Sequence, residues 1–289
     1  MANLTKRLPE NVPGDFFVDS TCIDCDTCRQ LAPASFGETG AFAYVHRQPQ
    51  SPGERRAALQ ALVSCPTGSI GCRGDDAPTS VMDDFPLPVE PPVFVCGFNS
   101  RKSYGGNSYF LQRQGGNWLI DAPKFQPRLV RRLEELGGVA NIFLTHRDDV
   151  ADADRYAAHF RGRRYIHREE LAWQPDAEVV LEGHAPLDLA AGIRSIPTPG
   201  HTGGHCCLLV DDRYLFTGDH LGYDRHERRL DAHRDYCWGS WARQTESMRR
   251  LLDFEFAWIL PGHGQRIQLE PSEMRRQLAE LVERMAGKP

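Results

Sequence analysis

The sequence contains no uncharged apolar run approaching the roughly 18 residues that a membrane-spanning helix requires. It also has no basic excess, because 34 Lys and Arg residues are outnumbered by 39 Asp and Glu residues, for a net charge of −5. A nucleic-acid partner, which usually needs a basic surface, is therefore not indicated. The first 17 residues have no apolar core of the secretory-signal type. We expect a cytoplasmic protein with no membrane or nucleic-acid partner, and a length of 289 residues suggests about two domains.

Cysteine is present nine times, and five of the nine fall in the first quarter of the chain. In a reducing compartment, cysteines are more often ligands or free thiols than disulfides. Cys22, Cys25 and Cys28 are separated by two residues each, and Cys65, much further along, is followed by Pro66. Three closely spaced thiolates closed by a distant Cys-Pro are typical of an iron–sulfur cluster. A structural zinc site is the alternative, although such sites usually pair two CxxC-like knuckles.

A proline-rich stretch at residues 74–92 divides the chain, with prolines at positions 78, 86, 88, 91 and 92. Such a stretch cannot continue a helix or a central strand, so we predict a linker between a unit at 1–73 and a domain at 93–289. The first unit is predicted to have a helix near 52–63, capped by Ser51. The second alternates predicted strands and helices, including helices over 149–160 and 238–252.

Smaller predictions concern the interior of the second domain. Cys206 and Cys207 are adjacent in a predicted strand, so they should point to opposite faces, and we expect both in the core. Trp238 and Trp241 share one face of the predicted helix over 238–252, which also favours a core position.

Histidine and aspartate recur in four turns, each after a predicted strand. The turns read Leu144-Thr145-His146, Pro199-Gly200-His201-Thr202, Thr217-Gly218-Asp219 and Pro261-Gly262-His263-Gly264. Side chains at strand ends can project toward one point, and glycines allow the backbone to approach closely. Imidazole and carboxylate groups together suit zinc, iron or manganese. We therefore predict a metal site containing His146, His201, Asp219 and His263.

Two family resemblances follow from these motifs. Residues 16–72, with Arg29-Gln30-Leu31-Ala32-Pro33 and Cys65-Pro66-Thr67-Gly68-Ser69-Ile70, resemble a single-cluster bacterial-type ferredoxin. Residues 93 to about 266 resemble the metallo-β-lactamase superfamily, in the branch of hydroxyacylglutathione hydrolases and persulfide dioxygenases. The resemblances imply an α+β chain in which a ferredoxin-like unit precedes an αββα sandwich with metals at one edge. They also imply a [4Fe-4S] cluster on Cys22, Cys25, Cys28 and Cys65.

The first metal motif departs from the pattern of that superfamily. Where H-x-H-x-D-H is expected, the chain reads His146-Arg147-Asp148-Asp149-Val150-Ala151-Asp152-Ala153. Asp148 replaces the second histidine, and a two-residue insertion would let Asp152 take the aspartate position, but the last histidine is missing in either register. One metal keeps His146, His201 and Asp219, with Asp148 or Asp149 as possible help. The other keeps only His263, the shared Asp219 and perhaps Asp152.

Three functions are compatible with this pattern. Two histidines and a carboxylate can hold one Fe(II) with open positions, which favours an oxidoreductase coupled to the cluster, with a small-molecule substrate and a possible redox partner. A hydrolase of thioesters or related esters, using Zn(II) or Fe(II) and Asp152 as a base, is the first alternative. A non-enzymatic, iron- or redox-responsive binding module is the second. His205 and His220, beside ligands in the sequence, could orient them by hydrogen bonds.

Overall fold

The structure is a computed structural model that describes residues 2–74 and 77–287. The N-terminal unit has its own small core, whose largest members are Phe16, Phe36 and Leu59. Two antiparallel pairs and two helices surround this core, and they are β1 Phe16–Val18, α1 Thr27–Leu31, β2 Phe36–Glu38, β3 Ala43–Val45, α2 Pro52–Ser64 and β4 Ile70–Cys72, with β1 paired to β4 and β2 to β3. Helix α2 begins as predicted, with the Ser51 hydroxyl accepting from the Glu54 N–H.

The second domain opens with a seven-stranded mixed sheet in the order β11-β10-β9-β8-β7-β6-β5. Strands β8 to β11 run parallel and the others antiparallel. The elements are β5 Leu87–Glu90, β6 Val93–Val95, β7 Tyr109–Leu111, β8 Trp118–Ile120, α3 Pro127–Glu135, β9 Asn141–Phe143, α4 Ala153–Phe160, β10 Arg163–His167 and β11 Val179–Leu181. Helices α3 and α4 cover one face of this sheet through residues such as Leu133 and Tyr156.

A six-stranded sheet, in the order β12-β13-β14-β15-β18-β19, packs on the other face of the first. Its elements and the helices and small hairpin that accompany it are β12 Leu187–Ala190, β13 Ile193–Pro197, β14 Cys206–Val210, β15 Tyr214–Gly218, β16 Gly222–Asp224, β17 Arg229–Asp231, α5 Trp241–Arg250, β18 Trp258–Pro261, β19 Ile267–Gln268 and α6 Pro271–Gly287. One apolar core joins the two sheets, and another lies between the second sheet and helices α5 and α6. The domain is therefore an αββα sandwich.

The two adjacent cysteines divide between these cores. Cys206 lies between the sheets, and Cys207 faces α5 and α6. Both are buried, as the alternation of side chains along a strand predicts. Trp238 differs from its prediction, because α5 begins only after Ser240 and Trp238 is 60% exposed in the preceding loop.

The proline-rich stretch is more ordered than a linker. Residues 75–76 lie outside the described residues, but 78–84 form a 3-10 helix whose Val81 is buried in the N-terminal core. Residues 87–90 then form β5, the edge strand of the first sheet. An edge strand tolerates proline because one side of it needs no ladder hydrogen bonds. A proline-rich composition is therefore shared by edge strands and linkers, and we predicted a linker for a segment that contains an edge strand.

The N-terminal unit docks directly on the sandwich. Arg225, from the β16–β17 hairpin, donates to both carboxylate oxygens of Asp26 at 2.6 Å. Asp26 also pairs with Arg29, so one carboxylate holds a cation from each unit. The docked face of the N-terminal unit includes Thr27, which follows the cluster cysteine Cys25 by two residues.

The predicted helix over 149–160 is shorter than expected and begins at Ala153. A 3-10 turn at Arg147–Asp149 comes first, and Ala151 then adopts a left-handed backbone conformation with φ of 36°. A residue with a side chain is strained in the left-handed conformation, and a right-handed helix cannot pass through it. Asp148 and Asp149 therefore stay in a turn at the edge of the sheet. Among all the described residues, no helix has the length and apolarity needed to span a membrane.

Candidate metal centre

Five donor side chains converge at the edge of the sandwich where β9, β13, β15 and β18 end. The Nε2 atoms of His146 and His201 lie 3.8 and 3.5 Å from Oδ2 of Asp148. The same two nitrogens each lie 3.6 Å from Oδ2 of Asp219. His263 is on the other side of Asp219, with its Nε2 atom 3.9 Å from that oxygen.

The chemistry of these donors fits a metal ion. His146 Nε2, His201 Nε2, Asp148 Oδ2 and Asp219 Oδ1 are all buried and have no hydrogen-bond partner. Buried polar atoms normally have partners, so a cluster of orphaned acceptors aimed at one point indicates a cation between them. His146, Asp148 and His201 present ligand atoms within 4.8 Å of one another. The structure thus brings together every predicted metal ligand, with Asp148 on the same side as His146 and His201.

A hydrogen-bonded chain behind His146 holds its ring in place. The Thr145 hydroxyl lies 2.9 Å from Nδ1 of His146 and contacts both carboxylate oxygens of Asp121. Engaging Nδ1 in this way directs Nε2 at the metal position. Burial raises the pKa of Asp121 to about 7. Asp121 follows β8 directly in the sequence, in the Leu119-Ile120-Asp121 motif.

The electrostatics of the ligands are strongly coupled. Burial opposes the charging of His146, but the Asp219 carboxylate, whose Oδ2 lies 3.6 Å from Nε2, outweighs it and raises the pKa of His146 to about 10. Burial likewise opposes ionisation of Asp219, yet the neighbouring histidines, His263 first, lower the pKa of Asp219 well below its ordinary value. A metal that binds here would therefore displace a proton from the imidazole of His146.

His205 and His220 lie behind the ligands and are fully buried. Nδ1 of His205 lies 2.8 Å from the Thr198 hydroxyl, and its ring centroid is 5.1 Å from that of His146. Burial lowers the pKa of both rings, that of His220 to about 3, so they are neutral packing partners of the ligands at neutral pH.

Asp149 is a further acid at the centre, which the sequence pattern indicated only as possible help, in place of Asp148, for the first metal. It is 1% exposed, and neither carboxylate oxygen has a hydrogen-bond partner. It groups with His146 and Asp219 within 4.8 Å. Burial first, and the charge of Asp219 next, raise the pKa of Asp149 well above its ordinary value. A carboxyl group in this environment is stabilised by a proton or by a cation shared with Asp219.

Glycine is required where the backbone passes these acids. A Cβ atom at Gly262 would lie 2.6 Å from Oδ2 of Asp149 and 2.7 Å from Oδ1 of Asp219. Real Cβ atoms do not approach so closely, so the PGHG turn brings bare backbone against the two carboxylates.

Asp152 has other partners. Its Oδ1 accepts from Nζ of Lys102 at 2.6 Å and its Oδ2 accepts from the Phe125 N–H at 2.9 Å. Burial opposes its ionisation, but these hydrogen bonds, with Lys102 foremost, lower the pKa of Asp152. The structure therefore places Asp149, and not Asp152, beside Asp219, because the turn at 147–149 precedes the kink at Ala151 and Asp152 follows it. A carboxylate so engaged is a poor general base.

We expect Asp152→Asn to leave the metal content unchanged and any turnover within a few-fold of the parent. The free energy of unfolding should fall by about 1–3 kcal/mol, because hydrogen bonds to a charged group are weakened. Metal analysis, steady-state rates and urea unfolding check these points. A rate loss of about 100-fold or more would instead identify Asp152 as a general base.

The four cysteines predicted to hold a cluster line one common cavity with Thr27 and Ala43. Cys22 and Cys65 also accept backbone N–H groups, from Asp24 and Ser69 respectively. Burial raises the pKa of the Cys25 thiol to about 11, and it raises the pKa of the Cys28 thiol well above its ordinary value. A bound iron cluster would offset the cost of burying these cysteines as thiolates, because a cationic metal favours the thiolate form. Cys72 lies at the end of β4 and does not line this cavity.

Two exposed tryptophans lie near the metal ligands or their sequence neighbours. The indole of Trp238 lies 6.3 Å from the His201 ring. The Arg147 guanidinium stacks over Trp173 at 4.8 Å, and Trp173 is 47% exposed. Exposed aromatics beside a metal site indicate a surface that contacts a ligand.

Comparison with known proteins agrees with this geometry. Residues 102–263 match the family described as "Metallo-beta-lactamase superfamily", which is more than half of the chain. The chain belongs to the metallo-β-lactamase superfamily. Residues 18–72 match "4Fe-4S single cluster domain of Ferredoxin I", so a ferredoxin-type segment precedes the metallo-β-lactamase domain. Both parts of the predicted fusion, and the αββα fold, are confirmed.

Two curated relatives resemble the metallo-β-lactamase part. The lactamase-like protein adaB of Aspergillus niger is 28% identical over 223 residues, covering 69% of this chain and 65% of that protein. A hydroxyacylglutathione hydrolase of Acidiphilium cryptum is 31% identical over 119 residues, covering 40% of this chain and 49% of that protein. This chain thus spans less than two thirds of the length of either relative. The DIM-1 metallo-β-lactamase structure has a TM-score of 0.53 at 17% identity, over 68% of this chain and 95% of that one, and shows the shared fold.

Proposed function

We propose that this protein is an iron-dependent oxidoreductase that takes one electron at a time from its own ferredoxin-type cluster. His146, His201, Asp148 and Asp219 would hold the iron, and a small-molecule substrate would bind on the open side. The cluster on Cys22, Cys25, Cys28 and Cys65 would be the donor within the chain.

The observation that supports this most is the contact between the two sites. A Cβ atom at Gly105 would lie 2.7 Å from Cβ and 3.0 Å from Sγ of Cys25. A Cβ atom at the next residue, Gly106, would lie 2.6 Å from Oδ1 of Asp149. Since consecutive Cα atoms are 3.8 Å apart, a cluster ligand and a metal-site carboxylate are joined by a path of about 12 Å or less. A cluster serving only to stabilise the N-terminal unit would not need this contact.

The ligand types favour iron. Asp148 supplies an oxygen where the superfamily pattern has a second histidine, and Asp219 and Asp149 add further carboxylates. Two histidines with carboxylate oxygens and open positions suit non-haem iron. When bound, iron would supply a one-electron Fe(III)/Fe(II) couple. The protein holds the imidazole of His146 through Thr145 and Asp121 and keeps the ligand atoms of His146 and His201 out of water.

The side chains of Trp173, Trp238 and Arg147 indicate what kind of substrate would bind. Arg147 is next to the ligands in sequence and is held by Trp173, and Trp238 stands over His201. A guanidinium stacked on one indole, with a second indole near His201, suits a small molecule that combines an apolar part with an anionic group.

The proposal is tested on protein purified without oxygen and loaded at the second site with Fe(III) or, as a matched control, with Zn(II). After the cluster is reduced by dithionite, the iron-loaded protein should lose its high-spin Fe(III) signal as the cluster is reoxidised. The zinc-loaded protein should keep a reduced cluster, because zinc accepts no electron. Electron paramagnetic resonance follows both signals. A persistent Fe(III) signal beside a stable reduced cluster would contradict the proposal.

A hydrolase is the second candidate, and the similarity to a hydroxyacylglutathione hydrolase favours it. In this case the metal would lower the pKa of bound water, and the cluster would have a structural or sensing role. Steady hydrolysis of an acyl-glutathione thioester by the zinc-loaded protein, independent of the redox state of the cluster, would favour it over electron transfer.

A further inference from the structure

A buried amide lies between the cluster and the metal centre. Asn99 is 3% exposed and belongs to the loop that follows β6. Its Nδ2 atom lies 2.7 Å from the Gly105 carbonyl oxygen, 3.1 Å from the Thr27 hydroxyl and 3.3 Å from Oδ1 of Asn107. Asn99 therefore contacts Thr27 of the N-terminal unit. It also contacts Gly105 and Asn107, on either side of Gly106, in the backbone between the two sites.

On the cluster side, the contact runs through Thr27. Its hydroxyl lies 3.4 Å from Sγ of Cys25 and 3.4 Å from the Gly105 carbonyl oxygen. A hydroxyl has one proton, and Asn99 occupies its oxygen as a donor, so Cys25 and Gly105 compete for that proton. Hydrogen bonds to cluster sulfurs change the reduction potential of a cluster, so the position of this proton affects the cluster directly.

On the metal side, the contact runs through Asn107. Its N–H donates to the Gly262 carbonyl oxygen at 2.7 Å, and its side-chain amide reaches the Pro261 carbonyl oxygen at 3.4 Å. Gly262 is the residue that packs on Asp149 and Asp219 and precedes His263. A cation that draws the side chains of Asp149 and Asp219 together therefore moves the Gly262 backbone, to which Asn107 is hydrogen-bonded.

From this arrangement we infer that Asn99 is a positioning residue that couples metal occupancy at the sandwich edge to the reduction potential of the cluster. The chain of contacts is Gly262, Asn107, Asn99, Thr27 and Cys25. Because coupling between two sites is reciprocal, reduction of the cluster tightens metal binding by the same factor that metal binding favours reduction. The inference goes beyond the proposed function and holds equally if the metal centre is hydrolytic.

The test compares the cluster midpoint potential of the full-length protein with its metal site empty and loaded with Zn(II), which is redox-inert. In the parent protein, zinc should raise the potential, with a coupling factor of about tenfold, in the common range for linked sites. For a one-electron couple that factor corresponds to about 59 mV. In Asn99→Ala the zinc-dependent shift should fall to a small fraction of this value while zinc still binds.

Two further comparisons separate the relay from simple charge effects. Thr27→Val should lose the shift and Thr27→Ser, which retains the hydroxyl, should keep it. This pair decides the question if Asn99→Ala does not fold. Asn117→Ala removes another buried amide, one that donates to the Leu136 and Gly138 carbonyls, and it should keep the shift.

A full shift in both Asn99→Ala and Thr27→Val would show that the zinc charge acts through space, and would overturn the inference. So would the absence of any shift in the parent, or an equal loss of shift in Asn117→Ala. The measurement reads the cluster alone, so it is independent of whether iron at the second site accepts electrons.

Discussion

Cys28→Ala and Cys65→Ala should each remove the brown absorbance of the protein and about four irons per chain, the content of one [4Fe-4S] cluster. Cys28 is buried in the N-terminal core and Cys65 lies on the same cavity. The N-terminal unit has a core of few large side chains, and a metal that binds only the folded state contributes its binding energy to folding. Thermal unfolding should therefore show an early transition in both variants.

The matched control for these variants is Cys72→Ala. Cys72 falls outside the ferredoxin pattern and does not line the cavity. This variant should keep its iron and its absorbance. Full iron content and parental unfolding in Cys28→Ala and Cys65→Ala would refute the cluster assignment to these cysteines.

His201→Ala is expected to empty the second metal site. Its Nε2 atom lies 3.5 Å from a carboxylate oxygen of Asp148 and 3.6 Å from one of Asp219, so the substitution removes a ligand from the middle of the set. Because loss of a residue that merely orients a ligand lowers metal affinity 10- to 100-fold, loss of the ligand itself should cost more than about 100-fold. Zinc counted per chain after gel filtration measures the effect without interference from cluster iron.

His263→Ala should retain most of that zinc, because the other four donors, His146, Asp148, His201 and Asp219, remain. The exposed His184 provides a control variant, His184→Ala, which should bind as the parent does. Equal zinc loss from His201→Ala and His263→Ala would mean that the centre holds two metals. Asp149→Asn should then lower the zinc content as well, since the Asp149 carboxylate groups with Asp219 and packs against Gly262, the residue before His263.

The turn after β9 shows why the role of individual acids could not be predicted from sequence. Three aspartates fall within five residues, and alignment to the family pattern favoured Asp152 as the functional one. The backbone at Ala151 has φ of 36°, between the turn that holds Asp149 and the helix that begins after Asp152. Nothing in the composition of Val150-Ala151 signals this conformation, because a residue with a side chain rarely adopts it. The partners of Asp152 could not be predicted either, since Lys102 and the Phe125 N–H lie 50 and 27 residues away from it in the sequence.

The linker prediction differs from the structure for a related reason. Prolines correctly exclude a central strand, but the sequence cannot say whether the edge of a sheet is free to accept one. Likewise, the helical periodicity extends toward the N-terminus beyond Ser240, the residue that caps α5 in the structure. Trp238 was therefore predicted to be in the core, whereas it is exposed in the loop before the helix.

The two-part organisation of this protein, the four cysteines of the predicted cluster as a set and the four turns that carry the candidate metal ligands could be read from the amino-acid sequence alone. These features depend on residue types at short spacings, where local backbone geometry and ligand chemistry leave few alternatives. The αββα class came from the family resemblance that these motifs carry. The position of Asp149 at the centre, the docking of the N-terminal unit through Asp26 and the contacts of Asn99 with Thr27 and Asn107 became visible only in the folded chain. These are contacts between segments separated by eight to about two hundred residues. The chain brings them together only when both sheets and the N-terminal core have packed, and no local pattern encodes such contacts.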